Sequence, residues 1–285
     1  MSASIATILV AVDPGDASRS AFGEALRLAQ FLKARLLVVS VTPRYEGNMH
    51  RWKIANADAR LNEPFVTCLE EMRQIAAEAG QPVEPVHAVG NPVEEIVRLA
   101  DEQQAGLVVL GYPKRSMIER VLLGRTAARV IGYSPCDVLM IPEQSVVNFS
   151  RILVGIDGSR YSMEAGERAL GLAAAFGGEV HALSVLGIRL ERSMLYGVVK
   201  AAEQKQFAPL QTLAERGQRL GVRVQTEIRE GSPYATIVKY SQDKEVDLIV
   251  LGSYGRTALG DILMGSVVER VASLSALPTL VVKKS

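Results

Sequence analysis

Short apolar runs alternate along the chain with segments in which apolar residues recur every three or four positions. In the first half the runs are "TILVAV", "RLLVVSV", "PVEPVHAV", "GLVVLG" and "DVLMI". They are β-branched and nearly continuous, the pattern of parallel strands buried on both faces. Between them lie helical periods such as "ASRSAFGEALRLAQFLK" and "NPVEEIVRLADEQ", the second opening on Asn91-Pro92 as a helix start should. The second half repeats the order, with "SPYATIVKYSQDK" as one of its helices. Each half therefore reads β-α-β-α-β-α-β-α-β, an α/β class with an open five-stranded parallel sheet and helices on both faces. The segment "PEQSVVNFS" (142–150) reads as a short polar link.

The two halves are copies. Residues 8–41 laid over 152–185 share 12 identities in 34 positions, where chance would give about two or three. Asp13 falls on Asp157, Ser18 on Ser162 and Val41 on Val185. Further on the offset drops from 144 to 141, pairing Gly90 with Gly231, Gly111 with Gly252 and Gly124 with Gly265. A tandem duplication with a three-residue length difference inside each copy accounts for both offsets.

Length agrees, since 285 residues suggest two domains of about 140 residues each. A net charge of +1 gives no reason to expect a nucleic-acid partner. No apolar run reaches the ~18 residues of a membrane span, and "MSASIATILVAVD" has no basic region ahead of its apolar stretch. The expected compartment is the cytoplasm. Cys68 and Cys136 stand apart from any CxxC or histidine cluster and read as buried, inert thiols.

Ligands of an open parallel sheet sit beyond the carboxyl ends of the strands, where strand order reverses. That rule points to the residues after the first strand of each half (Asp13, Asp157) and after the fourth (Gly111, Gly252). There is no Walker A motif, and no G-x-G-x-x-G follows a strand. The second half instead has Gly252-x-x-Gly255, nine residues, then Gly265-Ser266. Glycines at 252 and 255 allow positive φ and close backbone approach. Gly265-Ser266 at a helix start offers unpaired N–H groups and a hydroxyl to an anion, and Asp157 could accept from ribose hydroxyls. A structural reading stands beside each. Ser266 to Glu269 spells a capping box, and Asp157-Gly158 could be a plain turn.

These residues resemble the universal stress proteins across both halves. The most specific element is the family's ATP pattern G-2x-G-9x-G-S/T, matched by Gly252, Gly255, Gly265 and Ser266. "ILVGIDGS" is similar to the family's opening strand and "ALSVL" to its second. The resemblance implies two tandem Rossmann-like domains of the HUP type, 1–143 and 150–285, with ATP held in the second. It places Asp157 by the ribose, Val185 by adenine through its backbone, and Val267 next to Ser266 on the phosphate side. It also implies an internal pseudo-dimer through the last strands, on which a homodimer of chains is expected to build. As a nucleotide-responsive regulatory or protective factor, such a protein would use ATP to order the loop 253–264 and so alter contact with an unknown protein partner.

The first half departs from the pattern, with Lys114 for the second Gly and Arg125 after Gly124. Residues 114–129 carry five basic side chains (Lys114, Arg115, Arg120, Arg125, Arg129) against Glu119, while 255–270 balance Arg256 and Arg270 with Asp261 and Glu269. One ATP site is expected, in the second half, and the basic loop reads as a diverged site, with retained anion binding as the alternative. For catalysis the sequence offers no triad and no metal-ligand spacing. His87 and His181 fall inside strands, and His50 lies in a long connection. Asp157 or Asp261 could hold Mg²⁺ beside a triphosphate. A slow ATP hydrolase or adenylyl-transferring enzyme, and a nucleotide-free interaction module, are the competing functions.

Overall fold

The computed structural model describes residues 5–44, 57–113, 124–187, 196–255 and 264–283. Those up to Gln144 form one compact unit and those from Ser145 onward a second. The N-terminal unit runs β1 (Thr7–Val12), α1 (Asp16–Leu32), β2 (Arg35–Pro43), α2 (Ala57–Glu78), β3 (Val83–Gly90), α3 (Pro92–Glu102), β4 (Leu107–Tyr112), α4 (Arg125–Tyr133) and β5 (Asp137–Pro142). The C-terminal unit repeats the order. It comprises β6 (Arg151–Gly155), α5 (Arg160–Phe176), β7 (Glu179–Leu186), α6 (Tyr196–Arg219), β8 (Val224–Glu230), α7 (Pro233–Asp243), β9 (Leu248–Gly252), α8 (Ser266–Leu274) and β10 (Thr279–Val282).

The alternation read from the sequence is the alternation of the fold. Within the first unit the strands lie β3-β2-β1-β4-β5, and within the second β8-β7-β6-β9-β10, every adjacent pair parallel. The central strands are the most apolar and wholly enclosed, Ile8 to Val10 in one unit and Ile152 to Val154 in the other. Each unit is a Rossmann-like α/β domain. Its chain steps outward from the first strand to the third, then returns to the other side of the first. Right-handed crossovers therefore place α5 and α6 on one face of their sheet and α7 and α8 on the other. Between β6 and β9, and likewise between β1 and β4, lies the point where the strand order reverses.

Side chains set the helix starts. Asn91 accepts a hydrogen bond from the Val93 N–H (3.0 Å) with Pro92 at the first helical position, and Ser159 accepts from the Ser162 N–H (3.2 Å). Cys68 is buried and its thiol is pushed up to about 11, by burial first and then by Glu71, so it is an inert thiol at neutral pH. Cys136 is only partly enclosed, so the expectation of a buried thiol fails there. His87 in β3 meets the Thr42 hydroxyl at 2.9 Å, and His181 in β7 is buried between Tyr240 and Glu179.

Two further expectations need correction. "PVEPVHAV" looked like a strand covered on both faces, but β3 is an edge strand with Val89 exposed. The edge position is also what admits Pro85, since a proline cannot donate to a second neighbour. The link 142–150 is not uniformly polar, because Val147 and Phe149 are buried. The Phe149 ring stacks on Phe176 at 4.1 Å, anchoring the entry to β6.

Candidate functional site

At the carboxyl end of β6 the chain turns through Ile156, Asp157 and Gly158. Gly158 takes φ +78°, and the Asp157 carboxylate accepts from the Ser159 N–H at 2.8 Å through Oδ1. The turn reading of Asp157-Gly158 is thus correct as far as it goes. The other carboxylate oxygen has a further neighbour, since a Cβ placed on Gly255 would stand 3.0 Å from Asp157 Oδ2. Asp157 and Gly255 are 98 residues apart in the chain, and the switch point of the sheet brings them together.

Gly252 ends β9. A Cβ there would come within 2.5 Å of the Tyr161 carbonyl in the first turn of α5. In the N-terminal unit a Cβ on Gly111 would come within 2.2 Å of the Ala17 carbonyl oxygen. Neither Gly252 nor Gly255 has positive φ, so the expected conformational reason is wrong for both. Gly252 is small because a helix start lies against it, in a repeat with the motif and in one without. Gly255 is small because a carboxylate lies against it.

Beyond Gly252, the Ser253 N–H donates to the Val282 carbonyl and the Ser253 carbonyl accepts from the Gly265 N–H, each at 3.0 Å. These bonds fix the start of α8 beside the end of β9. The N-cap is Gly265, Ser266 is the first helical residue, and no side chain caps the helix. The expected Ser266–Glu269 capping box is therefore absent. A serine must be the cap residue itself to accept from the third amide, and here it stands one position too late. The first turn of α8 presents exposed Ser266 and half-buried Val267 with uncapped amides at the positive end of the helix. Val185 stands near the carboxyl end of β7, two residues beyond the Gly155–Leu183 register pair and opposite Arg229 of β8.

Asp157, Gly252, Gly255, Gly265 and Ser266 thus converge at one end of one sheet. Sequence reasoning passed over Ser253, Tyr254, Tyr161 and Lys283. The Tyr161 and Tyr254 rings are 5.2 Å apart, and the Lys283 Nζ lies 6.0 Å from the centre of the Tyr254 ring. Ser253 and Tyr254 are the two unspecified positions of G-x-x-G. Lys283 is signalled by its place just past β10, at the same carboxyl edge.

In the N-terminal unit the matching turn carries an equivalent bond and one more. Asp13 Oδ1 accepts from both the Ser18 hydroxyl (2.7 Å) and the Gly15 N–H (3.0 Å), and the Cys68 thiol donates to the Asp13 carbonyl at 3.2 Å. Helix α4 starts after Gly124 with Arg125 at its first position and no acid in its first turn. Lys114 and residues 115–123 lie outside the described residues, as do His50, Asp261 and 256–263 of the loop 253–264. Among the described residues no three His, Cys, Asp or Glu side chains gather as a metal ion would need. No helix among them is long and apolar enough to cross a membrane.

Comparison with known proteins agrees with this architecture. The universal stress protein family matches residues 5–142 and again 148–283. A universal stress protein of Methanocaldococcus jannaschii is 37% identical over 144 residues, covering 48% of this chain and 83% of that one. One of Mycobacterium tuberculosis is 27% identical over 305 residues, covering 98% and 96%. The crystal structure of a universal stress protein from Archaeoglobus fulgidus superposes with a TM-score of 0.76 at 22% identity, covering 98% and 96%, a likeness of fold. With two matches laid end to end over two copies of one Rossmann-like unit, the chain belongs to the universal stress protein family.

Proposed function

We propose that this protein binds ATP at one site, in a C-terminal domain of residues 150–285, and acts as a nucleotide-responsive regulatory or protective factor. The observation that carries the reading is the convergence of the Asp157 carboxylate, Gly255 and the uncapped start of α8 at the switch point. A phosphate gains from unpaired helix N-terminal amides, and a carboxylate at the end of the first strand suits ribose hydroxyls. In this reading Gly265, Ser266 and Val267 hold the phosphates and Asp157 the ribose. The Val185 backbone lies beside adenine, and Gly252 and Gly255 keep the approach open. Mg²⁺ would neutralise phosphate charge, with Asp157 as the described carboxylate in reach of it. The domain of residues 1–143 has lost the pattern, with Lys114 for its second Gly and Arg125 after Gly124.

The chemistry is binding, with hydrolysis at most slow. The chain works in the cytoplasm as a homodimer with a protein partner that reads its nucleotide state. Calorimetric titration with Mg-ATP tests the site through Gly265→Asp. The nearest atom to a Cβ at 265 is 3.4 Å away, and Asp is a favourable N-cap, so the variant folds. Its carboxylate takes the amides that the phosphate needs. Binding by the wild type and its loss in the variant is the expected result; undiminished binding in the variant would remove the site from α8.

A further inference from the structure

One helix seat is built twice in this chain, once from hydrocarbon and once from ionisable groups. In the N-terminal unit α3 packs on β2 and β3, where Leu99 and Leu37 are buried and Val86 and Ala88 belong to β3. By the repeat offsets of 141 and 144 residues, the same positions of the C-terminal unit are Tyr240, His181, Glu227 and Arg229. Tyr240 is 2% exposed and His181 3%. A fold that seats this helix with leucine does not require titratable side chains there. Burying them gives up solvation that leucine never had.

Four of these groups form one chain of hydrogen bonds. Glu179 Oε1 lies 3.4 Å from His181 Nε2, and His181 Nδ1 lies 3.1 Å from the Tyr240 hydroxyl. That hydroxyl also bonds the Glu227 carboxylate. Both ends are carboxylates, which accept and do not donate when ionised. Each of the three links needs one proton. A neutral imidazole and a phenol bring two, so one link stays bare, whereas an imidazolium and a phenol bring three. Nε2 then donates to Glu179, Nδ1 to the phenol oxygen, and the phenol to Glu227.

The surrounding charge agrees with that count. β6 sets apolar Leu153 beside His181, and its Arg151, level with Glu179, is matched by Glu245. The acids around the imidazole are Glu179 on β7, Glu227 on β8 and Asp243 on α7. The bases are Arg223 ahead of β8 and Arg229 on it, joined as Arg223–Glu179, Arg229–Glu227 and Arg229–Asp243. Three acids thus meet two arginines, and a second proton on His181 completes the balance.

We propose that this cluster is a proton-operated clamp: His181 binds a second proton in the folded chain and, as the imidazolium, closes the bonds that hold α7 to β7 and β8. Acidification tightens the seat of α7 and leaves that of α3, whose leucines have nothing to titrate. Unfolded histidine gives up its proton near about pH 6.5. The contribution of the clamp is fully present below that value and is lost as pH rises through the point where the folded chain releases the proton.

The test compares the full-length wild type with a double variant, His181→Leu with Tyr240→Leu, which carries the leucine pair of the N-terminal seat. Urea denaturation is followed from about pH 6 to about pH 8. His50 and His87 are present in both proteins and cancel. The proposal expects the wild type to lose stability relative to the variant as pH rises, its unfolding constant growing by up to about tenfold per pH unit, the slope of a single proton. Parallel profiles, or a wild type that gains on the variant as pH rises, would overturn it. A second measurement needs no variant. Nitrogen-15 NMR of the wild type at about pH 7, with the His181 ring assigned through its edge contact with Tyr240, should find a proton on both ring nitrogens. A bare nitrogen at that pH would overturn the proposal even if the double variant failed to fold.

Discussion

At Gly252 a single hydrogen atom decides whether α5 can lie against β9. A methyl there would meet the Tyr161 carbonyl at 2.5 Å, and at Gly111 the Ala17 carbonyl oxygen at 2.2 Å, backbone atoms that cannot rotate away. Gly252→Ala and Gly111→Ala should each lower the unfolding free energy by about 1–3 kcal/mol or more, read from urea denaturation. Gly124→Ala, with nothing within 4 Å of its added Cβ, should cost less, at most about 1 kcal/mol for the poorer N-cap of α4. Equal damage in all three would contradict the steric account. The sequence marks all of these positions with the same letter, and only the structure separates them. Gly252 answers to a helix, Gly255 to the Asp157 carboxylate, and Gly265 to the start of α8. That is why the pattern picked out residues that the fold gathers at one sheet end while the reason assigned to two of its glycines was wrong. Ser266 shows the same limit. The letters S-x-x-E were legible as a cap, but which residue takes the cap position depends on a single residue of register.

Between elements, the C-terminal unit ties α7 to its sheet with a polar cluster that periodicity does not reveal. The Tyr240 hydroxyl of α7 lies 3.1 Å from His181 Nδ1 on β7, and His181 Nε2 lies 3.4 Å from a Glu179 carboxylate oxygen. Arg229 of β8 stacks over the Tyr240 ring at 4.5 Å and pairs with Glu227 at 2.6 Å. Burial, then the nearby Glu227 carboxylate, push the phenol up to about 12. The folded state therefore holds this proton more tightly than the unfolded chain does. That contribution is fully present below the unfolded value of 10.0 and is lost as pH rises toward about 12. Tyr240→Phe should cost about 1–3 kcal/mol at neutral pH, because it strips a buried imidazole of a partner. It should also flatten the loss of stability between pH 10 and 12. Urea denaturation across that range checks both, and a variant as steep as the wild type would contradict them. Strand and helix order was legible here because apolar period survives any choice of neighbour. Which strand becomes an edge was not, since β3 and the central strands look alike as letters and differ only in what lies beside them.

For the whole molecule, the duplication is what makes the functional claim sharp. Two copies of one fold stand in one chain, each with a strand-end aspartate, a steric glycine and a glycine-started helix. In one copy the aspartate carboxylate meets Gly255 and the helix opens on Ser266. In the other the aspartate accepts from Ser18 and Gly15 and the helix opens on Arg125. The repeat and its asymmetry were readable from spacing and letters, whereas the bonds within the Asp13 turn needed three-dimensional contacts. Native mass spectrometry of the full chain with Mg-ATP, beside Gly265→Asp and Gly124→Asp, counts the nucleotides each chain holds and assigns them to a repeat. One nucleotide per chain, kept by Gly124→Asp and lost by Gly265→Asp, is the predicted result. Two nucleotides per chain, or one that survives Gly265→Asp, would contradict it.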